Sequence, residues 1–231
     1  MRTFSLLLFL ALAGICFGAE QKPESTPKGK EPTYQGKTLS EWMNEAKDKD
    51  AQVRDAAIEA LGKIGPEAIP ALNGLLKDEN VRVRMYATVQ LGRMGPRAKA
   101  AIPALIELLK DKEDYVRCEA AGALGKIGPE AGIAIVALTE SLKDKFFWVR
   151  SRSASALGKI GPEAKSAIPT LIGLLKDTNY YVRRSATEAL GRIGPDAKIA
   201  VPALTELLKD KDNDVRKAAT EALKKIKKEK N

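Results

Sequence analysis

The dipeptide Val-Arg recurs at 53, 83, 116, 149, 182 and 215, at intervals of 30, 33, 33, 33 and 33 residues. Nothing else in the chain restricts its fold so strongly. A repeated unit of this length is one supersecondary element that cannot bury its apolar face alone and must stack on its neighbours. The register extends well beyond the dipeptide. An aspartate stands five residues before each valine, at Asp48, Asp78, Asp111, Asp144, Asp177 and Asp210. Four residues after the valine comes Ala57, Ala87, Ala120, Ser153, Ala186 or Ala219, and eight after comes Leu61, Leu91, Leu124, Leu157, Leu190 or Leu223. Eleven after comes Ile64, Met94, Ile127, Ile160, Ile193 or Ile226. Offsets of this kind share one face of an α-helix, so each copy contains a helix with a buried stripe, here called helix B.

Gly-Pro ends helix B at 65–66, 95–96, 128–129, 161–162 and 194–195. Glycine suits a left-handed cap, and proline suits the first position of the next helix, where its missing N–H costs nothing. Helix A follows, as in 96–110 (PRAKAAIPALIELLK), with Ile102, Leu105, Leu108 and Leu109 facing inward. Pro103, Pro169 and Pro202 fall about two turns in and are expected to bend helix A there. In the fourth pair Val136 replaces that proline and Ser141 replaces an inner leucine, which predicts a straighter, less tightly packed helix. The second unit is shorter by about one helical turn, so its inward face keeps phase.

The first helix A lacks a preceding Gly-Pro and begins instead at Thr38-Leu39-Ser40-Glu41, a capping-box pattern, with Trp42 and Met43 as its large apolar residues. The last unit ends in a lysine-rich run at 224–230, the polar end that a stacked array needs. Apolar residues make up 44% of the chain but aromatics only 5%, so the core is built from Leu, Ile, Val and Ala, a helical palette. The reading is an all-α solenoid of about six two-helix repeats. The repeat domain covers 36–231, with units near 38–65, 66–95, 96–128, 129–161, 162–194 and 195–231.

Two other segments precede it. Residues 1–18 (MRTFSLLLFLALAGICFG) carry Arg2 and then an apolar run from Leu6 to Ile15. That run is far short of the ~20 residues of a membrane-spanning helix. It suits the centre of a secretory signal, with cleavage expected after Gly18 or Ala19. A lipoprotein alternative would use Cys16, although Ile15 fits poorly before it. Residues 19–35 (AEQKPESTPKGKEPTYQ) have no large apolar residue before Tyr34, so a disordered linker is expected. The protein is therefore expected to be exported to a periplasmic, envelope or extracellular location, with no stable membrane insertion after cleavage.

The run D-x-x-x-x-V-R-x-x-A-x-x-A-L-G-x-I-G-P resembles HEAT-like repeats, specifically the short type named after phycobilisome lyases. The resemblance covers about four-fifths of the chain. It implies a right-handed α-solenoid whose B helices line a concave face, and it implies no single activity, since this repeat serves as scaffold, adaptor, lyase and nucleic-acid binder.

The chain has no histidine and two cysteines. Ser-His-Asp and Cys-His nucleophiles and His-ligated metals are therefore excluded, as is a disulfide framework. No catalytic residue, metal or cofactor is expected, and Cys118 reads as a small packed residue. The pairs Asp48/Arg54, Asp78/Arg84, Asp111/Arg117, Asp144/Arg150, Asp177/Arg183 and Asp210/Arg216 recur in every copy, where a catalytic group would not be needed. They read as a structural ladder. Each aspartate is expected to accept turn N–H groups, and each arginine to bridge to the same or the adjacent turn, as in HEAT-like proteins.

A second ladder stands ten residues after each valine: Lys63, Arg93, Lys126, Lys159, Arg192 and Lys225. Two readings stay open for it, cations complementing a helix dipole or a basic rail for a partner. Helix-end positions of this kind account for much of the net charge of +9. Variable positions carry more information about function. Tyr115, Phe146, Phe147, Trp148, Tyr180 and Tyr181 crowd just before Val in three consecutive units, where other copies have polar or small residues. Two readings place them in the structure, either all packed over the A–B turns or Phe146 alone in the core, while exposed aromatics clustered in this way more often mark a contact surface, which is the reading taken here.

The leading functional reading is a non-catalytic exported scaffold that binds a protein or peptide, with an acidic segment in the partner suggested by the rail. A bilin-lyase-like or lyase-regulating protein and a nucleic-acid-binding HEAT-like protein are the alternatives. Export counts against both, and mixed charges at the variable positions count against nucleic acid.

Overall fold

The computed structural model describes residues 31–227. The expected signal and residues 19–30 of the expected linker lie outside them. The last part of that linker is ordered, which corrects its boundary. Thr33–Tyr34 (β1) pairs antiparallel with Lys37–Thr38 (β2). The turn between them places Gln35 and Gly36 at positive φ. Trp42 Nε1 donates to the Tyr34 carbonyl at 3.0 Å, so the hairpin is held by a backbone acceptor that composition cannot reveal.

Six B helices form one layer: α2 (Ala51–Ile64), α4 (Val81–Met94), α6 (Asp114–Ile127), α8 (Phe147–Ile160), α10 (Tyr180–Ile193) and α12 (Asn213–Lys227). Five of them end at Gly65, Gly95, Gly128, Gly161 and Gly194, all at positive φ. The sequence stripe is buried as its spacing predicts. Leu61, Leu91, Leu124, Leu157 and Leu190 are fully buried, and only Leu223, in the terminal unit, keeps 8% exposure.

The second layer comprises α1 (Leu39–Glu45), α3 (Ile69–Leu75), α5 (Ile102–Leu108), α7 (Ile135–Ser141), α9 (Ile168–Leu174) and α11 (Val201–Glu206). The first begins in the expected capping box, in which Thr38 and Glu41 bond reciprocally. The other five are shorter than a continuous helix A, because a 3₁₀ segment follows each Gly-Pro. The break falls at Ala98, Ala131, Ala164 and Ala197, where ψ lies between 15 and 19°. It is present in the copy that carries Val136, so proline is not its cause and α7 is no straighter than its neighbours. Pro103, Pro169 and Pro202 sit in the first turn of the short helix, where no N–H is required. Ala98/Ala101, Ala131/Ala134, Ala164/Ala167 and Ala197/Ala200, on the inner side of each 3₁₀ segment, are all fully buried.

The shorter second unit lacks one 3₁₀ turn, since only Pro66–Ala68 adopts that winding there. α7 packs on α8 as closely as its counterparts pack on their own partners, so the looser packing expected there is not found. A groove of about 540 Å³ opens between α5 and α7, lined by Ile106, Ile133, Val136 and Ala137 among others. The buried Ser141 hydroxyl is satisfied by the Ala137 carbonyl at 3.0 Å.

Candidate protein-binding surface

The Asp–Arg ladder joins the units. Arg84 Nη1 donates to its own turn, at the carbonyls of Asp78 and Glu79, while its Nε and Nη2 grip Asp111 of the next unit at 2.8 and 3.0 Å. Asp111 also accepts the N–H of Glu113. The same set recurs at Arg117–Asp144, Arg150–Asp177 and Arg183–Asp210. Burial works against the charge of Asp111, but the Arg84 and Glu113 hydrogen bonds outweigh it and hold the carboxyl below its ordinary range. The Arg183 guanidinium does the same for Asp210. The array's ends differ. Arg54 bonds only to the carbonyls of Asp48 and Lys49, because the short second unit moves Asp78 out of register. There Arg82 bridges to Asp55 at 2.6 Å instead. Arg216, in the last unit, bonds to its own turn and to Asn213.

A second join was not recognised in the sequence. The glycine nine residues after Val faces the alanine seven after Val in the next unit. A Cβ on Gly125, Gly158 or Gly191 would lie 2.8, 2.7 or 2.8 Å from the Cα of Ala156, Ala189 or Ala222. Gly92 faces Ala123 in the same way at 3.0 Å. In the last unit, which has no described successor to pack on, Lys224 takes the glycine's place. Successive second-layer helices approach one another far less than successive B helices do. Of two stacked layers, the more closely spaced lies inside the curve, so the B helices line the concave face.

On that face one stripe of each B helix reaches solvent. In α8 it is Trp148, Arg152, Ser155 and Lys159, and in α10 it is Tyr181, Arg184, Glu188 and Arg192. The aromatic residues converge at the helix N-termini. Tyr115 meets Phe146 edge-on at 5.4 Å, Phe146 meets Phe147 at 5.6 Å, and Phe147 meets Trp148 at 4.9 Å. Trp148 then packs on Tyr181 at 4.8 Å, and Tyr181 on Tyr180 at 4.0 Å. All six rings thus form one continuous cluster across three units. Tyr115 is 63% exposed, and Phe146, Phe147, Trp148 and Tyr181 are half-buried against one another, while Tyr180 also packs on the core.

Phe146 occupies the N-cap position of α8, where α2, α4 and α10 have Asp50, Asn80 and Asn179 bonding the first turn. Its ring can make no such bond, so α8 starts without a side-chain cap. Such a loss costs a helix about 1 kcal/mol.

The cations Lys63, Arg93, Lys126, Lys159, Arg192 and Lys225 are all exposed near the C-terminal ends of the B helices, each directly after the close-approach position. Lys159 is held below the ordinary lysine range by burial and by the positive charges of Arg192, Lys126 and Arg152. Cys118 is buried and its thiol is pushed up to about 11 by desolvation, which leaves it a poor nucleophile. Among the described residues no group of three or more His, Cys, Asp or Glu is placed to hold a metal.

Stacked helix pairs, an inter-unit Asp–Arg ladder and an open inner face define an α-solenoid. The chain belongs to the HEAT-repeat family, whose pattern matches residues 39–100, 83–145 and 135–224. Among solved structures, an engineered protein is similar over 82% of this chain and 96% of its own, at 25% identity and a TM-score of 0.65. The complex of CpcE and CpcF of phycocyanin lyase from Nostoc sp. PCC7120 is similar over 88% of this chain and 81% of its own, at 25% identity and a TM-score of 0.58. Computationally designed armadillo repeat proteins for modular peptide recognition share the fold at 23% identity, over 80% of this chain and 98% of theirs, with a TM-score of 0.61. No curated protein matches the chain.

Proposed function

We propose that this HEAT-repeat protein is an exported, non-catalytic scaffold that grips a protein or peptide on its concave face, anchored at the aromatic cluster of the third to fifth units. One observation carries the reading. Phe146 stands where a capping residue belongs, at a cost to the helix, and completes a six-ring surface that no repeat needs in order to stack. Large rings with low conformational entropy, half-exposed beside polar surroundings, make effective anchors for a partner. The apolar run in 1–18 supports export, and the lack of histidine in the sequence supports a role without His-dependent catalysis.

Similarity in shape to a phycocyanin lyase complex keeps the lyase-like reading in view, but among the described residues the one cysteine, Cys118, is buried and does not support it. A nucleic-acid role is disfavoured by the carboxylates Asp55, Glu59, Glu119, Glu188 and Glu221 on the stripe-bearing helices.

The test is selection of peptide ligands on the full chain, followed by titration of the Trp148→Ala variant. Loss of about 2 kcal/mol or more of binding with an intact melting transition is expected if the indole is a desolvated anchor. Unchanged affinity, or unfolding with normal residual affinity, would place the rings in the core and the site elsewhere. Fusion of 1–35 to a reporter that matures only outside the cytoplasm tests export.

A further inference from the structure

Resting on the scaffold reading, we propose that the concave face binds an extended acidic peptide segment that crosses the B helices along the row Arg93, Lys126 and Lys159, with a carboxylate at every third residue. The spacing follows from the glycine ladder. Each cation sits one residue after a glycine whose contact with the next helix admits no Cβ, so neighbouring cations are separated by the short end of the helix-packing range, about 8–10 Å. An extended polyproline-II chain rises about 3.1 Å per residue and returns its side chains to one face every third residue, so one turn of about 9 Å covers one step of the row. Charge is kept at this position in all six units while the residue alternates between lysine and arginine, as expected where the positive charge itself is used.

The middle of the row is the part left unneutralised. One turn before each cation stand Glu59, Val89, Gly122, Ser155, Glu188 and Glu221, so carboxylates flank the first, fifth and sixth cations and none flanks the central three. Arg192 already has Glu188 at 3.9 Å, whereas Lys126 and Lys159 make no ion pair with any described residue. Lys159 is depressed by three like charges as well as by burial, and a bound carboxylate would relieve that repulsion. Between Lys126 and the aromatic cluster, Gly122 is buried beneath the side chain of Arg152, which adds a further cation beside the row. A nucleic-acid strand fits less well, because its phosphates come much closer together than the steps of the row and would meet the flanking glutamates.

The experiment uses the full chain and fluorescein-labelled Gly-Ser peptides of about sixteen residues, read by anisotropy at low and moderate salt. One peptide carries glutamate at every third position. Its isomer carries the same glutamates in one block, and a single-stranded oligonucleotide of equal charge completes the set. The spaced peptide is expected to bind about ten-fold more tightly than the blocked isomer. The Lys126→Gln/Lys159→Gln variant is expected to abolish that preference, and the Lys99→Gln/Lys165→Gln variant, which removes two exposed cations of the second layer, to leave it intact. Equal affinity for the two isomers, no binding of either, a preference that survives the lysine changes, or tighter binding of the oligonucleotide would each overturn the proposal. Because these peptides carry no aromatic residue, such a result leaves the Trp148-dependent anchor to stand or fall on its own test.

Discussion

The contact between Gly158 and Ala189 yields opposite effects from one substitution at two glycines. In an exposed helix, Gly→Ala stabilises by roughly 0.5–1 kcal/mol, because the unfolded chain loses freedom it would otherwise regain. Gly173 in α9 meets that condition, since it is exposed and a Cβ there touches nothing within 4 Å. At Gly158 the new Cβ would lie 2.7 Å from Ala189 Cα and 3.1 Å from Ala189 Cβ. Carbon atoms rest at about 3.5–4.0 Å, so α8 and α10 would have to separate by on the order of 1 Å. Two helix backbones cannot yield as a flexible side chain can, and overpacking of this kind costs about 1–3 kcal/mol, more than the propensity gain.

Gly158→Ala is therefore expected to lower the melting temperature by about 2–4 °C for each kcal/mol lost, while Gly173→Ala raises it slightly. Urea midpoints followed by helical circular dichroism would check both, without assuming two-state unfolding of a repeat array. Adding Ala189→Gly to the Gly158→Ala variant should rescue little, since the nearest clash is with Cα rather than Cβ. If Gly158→Ala stabilised the protein, or if the two substitutions moved the midpoint in the same direction, the close-packed inner layer would be refuted.

Leu124→Ala, which empties a fully buried site between two neighbours, should cost about 2–5 kcal/mol, and Leu223→Ala in the half-supported last unit should cost less; equal melting shifts would contradict the one-dimensional stacking. Phe146→Asn should restore a cap to α8 and add about 1 kcal/mol of stability while weakening the bound partner, so a loss of stability would show that the ring serves the core. Acid should melt the array through its ladder. Asp111, Asp144 and Asp210 have lowered folded pKa values, so their contribution is fully present above the unfolded value of about 3.9 and drains as pH falls through the folded ones. A flat stability profile below about pH 4, or an unaltered one in Asp210→Asn, would count against this.

Much of the site was legible as residues but not as an arrangement. The six aromatics stood out because they broke a repeat whose other copies were polar there, and periodicity alone implied that their units were adjacent. That Phe146 displaces a cap, and that Tyr180 leans on the core while Tyr181 faces Trp148, depends on side-chain directions that no spacing encodes. The arginine ladder was half legible. In a periodic sequence an aspartate in the same copy and one in the next copy are equivalent partners, and only the packed array shows that Arg84 divides its donors between its own turn and Asp111. The break in helix A was missed because Arg-Ala-Lys-Ala-Ala favours α-helix by propensity, and no residue of that run marks where the winding changes.

Sequence by itself determined what is local and what is repeated: the helix B stripe, the glycine caps, the capping box at Thr38 and the need to stack. Each of these depends on residues within a few turns of one another, where periodicity and backbone preference are decisive. Tertiary structure decided what lies between units: the partner of each ladder arginine, the glycine contacts that draw the inner layer together and the resulting step between cations. Those contacts join residues about thirty positions apart, and a chain written in equal repeats carries no mark of which copy faces which until the helices have packed.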